Sequence, residues 1–382
     1  MPGSGTGTFI DPDDYQASLR HLRIDLLVTS RGPFNVRLTW ATLHHLQLLR
    51  GEEDQPRVAY VSLEPTLVFA GFTTPPDPPM LWGGVELHTG DLIFHSRGER
   101  FHQSTTGPGN WNLVGLRPEQ LERYGGVLSG KPLSAPAVAR ILRPAVRDAA
   151  RLRRLHAQAC RLAETRPKVL AHPEVARSIE QGLIHALVTC LAAKARNDRA
   201  ARRHHAGIMV RFEEVLAERL DRQLHVPELC ALIGVSERTL RSCCAEFLGI
   251  SPSRYVLLRR LQAVRIALRD ADAETASVAE IAGGCGFTEL RRFAAAYRTA
   301  FGEAPSTTLR RSSGSGILDP TICRFCIVSR KTSGLGLDWA RFAQSTSITM
   351  GRSSHDQVAT RHSIRRPTHD ADVVGLRMAE RL

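Results

Sequence analysis

Three arginines, Arg238, Arg241 and Arg291, are of a type that can read nucleic-acid bases. An arginine guanidinium can give paired hydrogen bonds to guanine O6 and N7, worth about 1–3 kcal/mol of discrimination, whereas contacts to phosphate fix register without reading sequence. Arg238, Arg241 and Arg291 fall on or beside the outward faces of two short amphipathic stretches and are the candidate base readers. Ser242 shares the face of Arg241. Ser236, Thr239, Thr288 and Arg292 sit near the starts of the same stretches, where they suit helix capping or phosphate contact. A solvated arginine or a phosphate contact explains each base-reading candidate, taken alone, equally well.

The elements that must hold these groups follow from periodicity. Pro227 opens a helix carrying Leu229, Leu232 and Ile233, and Gly234 breaks it. Ser236 is a good N-cap for a second helix, in which Leu240, Cys243, Cys244, Phe247 and Leu248 recur at helical spacing. Fifty residues later the pattern returns. Val278, Ile281 and Ala282 lie before Gly283, Gly284 and Gly286, and Thr288 is the candidate N-cap of a helix with Leu290, Phe293, Ala294, Tyr297 and Phe301 inward. Between the two units Pro252, preceded by Ser251 as N-cap, opens a helix to about Asp270. At 1.5 Å per residue it spans roughly 27 Å, near the roughly 34 Å between major-groove openings on one face of a duplex.

Other chemistries find less support. His88, His95 and His102 recur every seven residues, a spacing that strands and turns do not bring onto one face, so no metal site is expected. Cys323 and Cys326 form a lone CxxC without the second pair of a zinc site. Gly3, Gly5 and Gly7 lack the strand and helix of a nucleotide fingerprint, and no Walker motif, nucleophile elbow or zincin helix occurs. Trp40, Trp82 and Trp111 could line an effector pocket, but core packing explains them better. Neither an enzyme nor a cofactor is expected.

The chain has 382 residues, 42% of them hydrophobic, enough for two or three domains. No run of about 18 apolar residues and no basic-then-apolar start appears, which argues against a membrane partner and for a cytoplasmic protein. Eight scattered cysteines suit reduced thiols. The formal charge of +13 favours a polyanionic partner. It is unevenly spread: residues 1–206 hold 26 basic against 19 acidic groups, including the Arg151, Arg153, Arg154 cluster, whereas residues 207–311 hold 15 against 13.

From His21 to Arg117 the chain reads as strands: Leu22–Ser30, Phe34–Trp40, Arg57–Leu63, Leu67–Phe72, Trp82–His88, Leu92–His95 and Asn112–Leu116. Thr74–Pro79 and Thr106–Asn110 supply turn chemistry. From Ala135 the period turns helical, with a kink or a fresh helix at Pro144. Val175, Ile179, Leu183, Leu187 and Leu191 make one stripe, which faces either the chain's own strands or a second copy. Asn197–His205 reads as a basic hinge before a helix from Ile208 to Asp221. The expected α+β organisation is an antiparallel β-rich domain over 1–134, barrel- or sandwich-like, and a helical segment with a hinge over 135–206. An all-α pair of helix-turn-helix units over 207–311 and a flexible tail over 312–382 complete it.

Gly234-Val-Ser236, Arg238-Thr-Leu240, Gly249-Ile-Ser-Pro252, Val278-Ala-Glu-Ile281-Ala, Gly286-Phe287 and Phe301-Gly-Glu-Ala-Pro305 together resemble the DNA-binding module of the AraC/XylS family of bacterial transcription regulators. The likeness covers about 100 residues and extends, more loosely, to regulators of ethanolamine-utilisation operons. It departs from the pattern at Cys243 and Cys244, where arginine and a core aromatic are usual, which predicts a looser first reading helix. The resemblance implies a sequence-specific, double-stranded-DNA-binding activator that contacts RNA polymerase, with a preceding domain for a small-molecule effector or for homodimerisation. The alternative is a nonspecific architectural DNA binder.

Overall fold

Alternating apolar residues and turn punctuation build a two-sheet N-terminal half. Along the chain run β1 (Gly3–Phe9), α1 (Pro12–Ser18), β2 (Leu22–Val28), β3 (Val36–Thr42), β4 (Leu46–Glu53), β5 (Arg57–Leu63), β6 (Val68–Thr73), β7 (Met80–Trp82), β8 (Val85–Leu87), β9 (Leu92–Phe94), β10 (Arg100–Ser104) and β11 (Gly109–Leu116). Then come α2 (Pro118–Ser129), β12 (Arg140–Leu142), α3 (Val146–Thr165), α4 (Pro167–Leu170) and α5 (Pro173–Leu191). The helical half holds α6 (Ala200–Glu218), α7 (Val226–Ile233), α8 (Glu237–Leu248), α9 (Pro252–Asp270), α10 (Val278–Gly284), α11 (Leu290–Phe301) and α12 (Pro305–Ser312). The computed structural model describes residues 3–19, 21–30, 32–74, 79–193, 200–219, 222 and 224–312. Cys323, Cys326 and the expected tail beyond Ser312 lie outside the described residues, as do Pro75–Pro78 and the start of the expected hinge.

All strand pairs are antiparallel. A seven-stranded sheet runs β1-β3-β4-β11-β6-β9-β12 and a five-stranded one β2-β5-β10-β7-β8. Their inner faces meet in one core, with Val36, Leu38, Phe69 and Leu113 from the larger sheet against Ile24, Leu26, Ala59 and Val61 from the smaller. The outer face of the larger sheet is covered by helices: Leu48, Val114 and Leu116 pack with Leu121, Leu152, Leu183 and Leu187. The stripe on α5 is therefore used inside the chain, against α2, α3 and the sheet.

The outer face of the smaller sheet meets the helical half. Leu27 and Val58 share a core with Phe212, Leu240, Phe247 and Tyr255. This sheet is a common wall. On β2, β5 and β10 alternate residues turn inward to the sandwich (Ile24, Val61, Phe101) and outward to the helices (Asp25, Val58, His102).

Several expectations need correction. Strands β1, β4, β10 and β12 were not anticipated, and Trp82–His88 belongs to a hairpin that turns at Gly83 and Gly84, with φ of 53° and 75°. The helical region is preceded by α2 and interrupted by β12, and a fresh helix, α3, follows Pro144. The helix expected from Ile208 begins at Ala200, so the anticipated hinge is helical from that residue.

Candidate nucleic-acid interface

Two helix-turn-helix units share one rod. In the first, α7 ends at Gly234, whose left-handed conformation (φ 78°) disfavours a side chain. The chain then reverses into α8, where Ser236 Oγ accepts a hydrogen bond from Thr239 N–H at 3.1 Å. Leu240, Cys243, Cys244, Phe247 and Leu248 are buried. Cys243 and Cys244 are fully buried, in the same core as Phe212 and Tyr255. Burial pushes the Cys244 thiol up to about 12, so it stays a neutral packing group.

In the second unit Gly286 takes the same left-handed conformation (φ 77°) between α10 and α11. Phe293 and Tyr297 are buried, with Leu261, Val264 and Leu268 of α9 beside them. Thr288 is not the N-cap. The chain stays extended one residue longer, Glu289 occupies the capping position without a side-chain bond to the helix backbone, and Thr288 is exposed before it. The rod α9 thus contributes one end to each unit's core. Ser251 caps it, accepting from Arg254 N–H at 3.4 Å.

The opposite faces of α8 and α11 are open. Arg238, Arg241 and Ser242 are exposed on α8, and Arg291 and Arg292 on α11. Arg241 pairs with Glu237 at 2.9 Å and Arg292 with Glu289 at 3.0 Å, exposed pairs of the kind worth about 0–1 kcal/mol. Such weak pairs can be exchanged for an external partner. The side chains of Arg238 and Arg291 have no partner among the described residues. Ser236 is committed to its cap and to Thr239 Oγ1 at 2.9 Å.

Sequence reasoning missed how firmly the N-terminal half grips this module. Gly84 in the hairpin turn sits against α8, where an added Cβ would lie 2.9 Å from Glu246 and Phe247. Ser104 Oγ donates to the Phe247 carbonyl at 3.4 Å. His102 Nε2 and Tyr255 Oη converge on the buried Glu213 carboxylate at 2.8 and 2.6 Å. Arg259 bridges Glu213 and Asp25 at 3.6 and 3.0 Å. Burial raises the Glu213 pKa, but Arg259, His102 and Tyr255 outweigh it and hold the carboxyl below its usual range.

A second grip lies along the rod. Arg265 reaches Asp11 at 2.7 Å and Asp13 at 3.0 Å, and Arg269 reaches Asp11 and Asp14, each at 2.8 Å. Burial works against the charge of Arg265, but Asp13 and Asp11 overcome it and strengthen its hold on the proton. The available signal was the Asp11-Pro-Asp-Asp14 run together with Arg265, an arginine that falls within the apolar stripe of α9 and is buried there.

Between the sheets lies a cavity of about 50 Å³. Its wall includes Phe101, Gln103, His95, Trp111, Asn112 and Arg57. Of the three tryptophans considered, only Trp111 lines it, while Trp82 is buried elsewhere and Trp40 is 39% exposed. Arg57 is held by Glu53 at 2.6 Å and by Gln103 Oε1 at 2.9 Å. The three histidines have separate partners: His88 with Glu86 (3.8 Å), His95 with Glu99 (2.8 Å) and His102 with Glu213. Among the described residues no helix is long and apolar enough to cross a membrane.

Comparison with known proteins adds to this geometry. Residues 229–311 match the family described as "Helix-turn-helix domain". The XylDLEGF operon transcriptional activator of Pseudomonas putida is 39% identical over 101 residues, 26% of this chain and 32% of the relative. The probable thc operon regulatory protein of Rhodococcus erythropolis is 32% identical over 150 residues, 38% of this chain and 44% of the relative. The chain therefore matches about a third to under a half of these relatives' lengths. Among solved structures, the AraC-like transcriptional activator CuxR is 16% identical, covering 68% of this chain and 94% of its own with a TM-score of 0.37. With their paired glycine turns and the capped α8, residues 229–311 match a helix-turn-helix domain.

Proposed function

We propose that the protein is a sequence-specific transcription regulator, an activator that answers to a small-molecule effector, with α8 and α11 entering two successive major-groove segments. The supporting observation is that both helices turn exposed arginines away from cores built on one shared rod. Arg238, Arg241 and Arg291 read bases in this proposal. Ser242, Thr288 and Arg292 touch phosphate or base edges beside them, and Ser236 and Thr239 fix the start of α8 against the backbone. The operon activators among the relatives support the sign of regulation and, with it, contact with RNA polymerase.

The cavity between the sheets is the proposed effector site. At about 50 Å³ it suits a molecule of a few heavy atoms, since one water needs roughly 10–15 Å³ in this measure. Phe101 and Gln103 face it, while His102 and Ser104 on the same strand hold the reading module. A ligand that displaces β10 would therefore act directly on α6 and α8. The looser likeness to ethanolamine-operon regulators adds no effector to this proposal, and homodimerisation is an accompanying proposal tested by solution mass.

Mapping protected bases near the protein's own promoter tests the reading. Two protected patches on one face, one helical turn apart, are expected, with a preference of roughly 10³ or more over random duplex at the same salt. A gap of only a few-fold would instead make it an architectural DNA binder.

A further inference from the structure

The wall of the cavity between the sheets holds a polar atom that nothing in the described chain uses. His95, 2% exposed, lines the cavity just beyond β9, and its Nδ1 lies 2.8 Å from the Glu99 carboxylate. A carboxylate only accepts, so the proton of the neutral ring sits on Nδ1 and leaves Nε2 as an acceptor. Nε2 has no hydrogen-bond partner among the described residues. It is turned toward Gly71, where an added Cβ would lie 3.0 Å from it. Phe101, stacked at 5.0 Å, and Trp82, edge-on at 5.9 Å, hold the ring in this pose. A buried acceptor left unpaired costs free energy, so one held this rigidly calls for a donor.

The charge at the wall is already matched. Arg57 donates to Glu53 at 2.6 Å and to Gln103 Oε1 at 2.9 Å. Glu53 also accepts from Tyr15 and Trp111, each at 2.9 Å. An anion entering the cavity would meet a guanidinium that is already neutralised, and a cation would meet no acidic side chain among the lining residues. Either ion would shed its hydration without gaining a counter-charge. Eleven of the seventeen lining residues are hydrophobic, and about 50 Å³ leaves room for roughly three to five water-sized groups.

We infer that the cavity takes a short-chain alcohol, an uncharged and mostly hydrocarbon molecule whose hydroxyl donates to His95 Nε2. This rests on the proposal that the cavity is the effector site, and it names the chemistry of that effector. The acceptor also has a short path to the helical half. Phe101 stacks on His95, and the next residue along β10, His102, bonds Glu213 on the other side of the sheet.

Propan-2-ol, acetone, isopropylammonium and acetate share one size and one branched shape. They differ in what they offer: a hydrogen-bond donor, an acceptor alone, a positive charge and a negative charge. Each is titrated into the full chain near neutral pH and followed by ligand-observed NMR into the millimolar range, where molecules this small bind. Propan-2-ol is expected to saturate, acetone to bind about 10-fold more weakly for want of the hydrogen bond, and neither ion to saturate. Gly71→Ala, whose methyl would cover Nε2, is expected to weaken propan-2-ol by about 10-fold or more at a thermal midpoint near that of wild type. His95→Leu removes the acceptor at similar volume and should bring propan-2-ol and acetone to equal affinity.

Acetone binding wild type as tightly as propan-2-ol overturns the inference, and so does an ion that binds as tightly as either. Absence of saturation by every probe overturns it too, because water then suffices as the donor. Propan-2-ol binding that neither substitution changes lies at another site and also overturns it. Propan-2-ol binding as expected, with no change in the affinity of the full chain for duplex DNA, supports the chemistry of the cavity and removes only its proposed effector role.

Discussion

His102 Nε2 and Glu213 Oε1 meet 2.8 Å apart, both nearly buried, across the boundary between a sandwich strand and the first helix of the helical half. The pair sits beneath Phe247 and Tyr255, whose rings stand edge-on to the imidazole at 6.5 and 6.2 Å. Glu213 Oε1 takes the hydrogen bonds of both His102 and Tyr255, and Oε2 has only the Arg259 guanidinium at 3.6 Å. Removing the carboxylate leaves Arg259 half-compensated and His102 and Tyr255 without an acceptor. Glu213→Ala is expected to cost about 3–5 kcal/mol in urea unfolding, the range for breaking one side of a buried pair. A loss under about 1 kcal/mol would show that water replaces the network.

The same carboxylate makes the union of the two halves acid-sensitive. Its pKa is held below the ordinary 4.5, so its contribution is complete above pH 4.5 and is lost as pH falls through the lower, folded value. Thermal midpoints of wild type should fall more steeply below pH 4.5 than those of Glu213→Gln. Parallel curves would remove Glu213 from the acid response.

A second titration acts at milder pH. His156 is buried beside Cys160 Sγ (3.7 Å) and edge-on to Phe72, and burial first, then Arg50, lowers its pKa from 6.5 to about 4. The folded protein keeps this ring neutral while the unfolded chain protonates it. Stability from this group is therefore complete above pH 6.5 and declines between 6.5 and about 4. Between pH 7 and 5 wild type should lose about 2 kcal/mol more than His156→Leu, at 1.36 kcal/mol per unit. Equal losses by denaturant titration would place the acid response elsewhere.

The proposed base reading by α11 has a sharper readout than affinity alone. Arg291→Ala is expected to weaken binding to a selected site by about 1–3 kcal/mol and to relax base preference at one position. Titrations at fixed salt against single-base variants of the site measure both. Unchanged affinity for every variant would strike Arg291 from the base readers.

The rod should come loose at its far end when the acidic run is neutralised. Asp11→Asn with Asp13→Asn removes the carboxylates nearest Arg265, whose side chain is only 7% exposed. Calorimetry should then resolve the sandwich and the helical half as separate transitions, with a single transition expected for wild type. A single transition in the double variant would mean that the Glu213 network suffices to couple them.

The helix-turn-helix units were legible because their signals are local: Gly234 before Ser236, and apolar residues at helical spacing on one face. The strands that escaped notice share a different property. β10 alternates between a cavity side and an interface side, both covered, so Phe101 and His102 do not show the wet-dry contrast that marks an ordinary strand. β1 hides behind glycines. Gly5 leaves room for the Trp40 ring, which would lie 2.5 Å from an added Cβ, and the strand is held by backbone pairing with β3. The exposed placement of Arg238, Arg241, Arg291 and Arg292 on α8 and α11 follows from helical period alone. The grip on α9 joins residues about 250 positions apart, and no periodicity carries that information.

Asp11, Asp13, Asp14 and Asp25 do more than fasten two halves together. They neutralise one flank of a rod that would otherwise present Arg259, Arg265 and Arg269 to water. A truncated protein beginning near residue 207 would leave Arg259 with Glu213 alone and Arg265 with Glu303 alone, strip Arg269 of Asp11, Asp13 and Asp14, and adhere to any polyanion more avidly than its parent. Selectivity measured on the fragment would therefore understate that of the whole, because the sandwich serves as an electrostatic sheath for its neighbour.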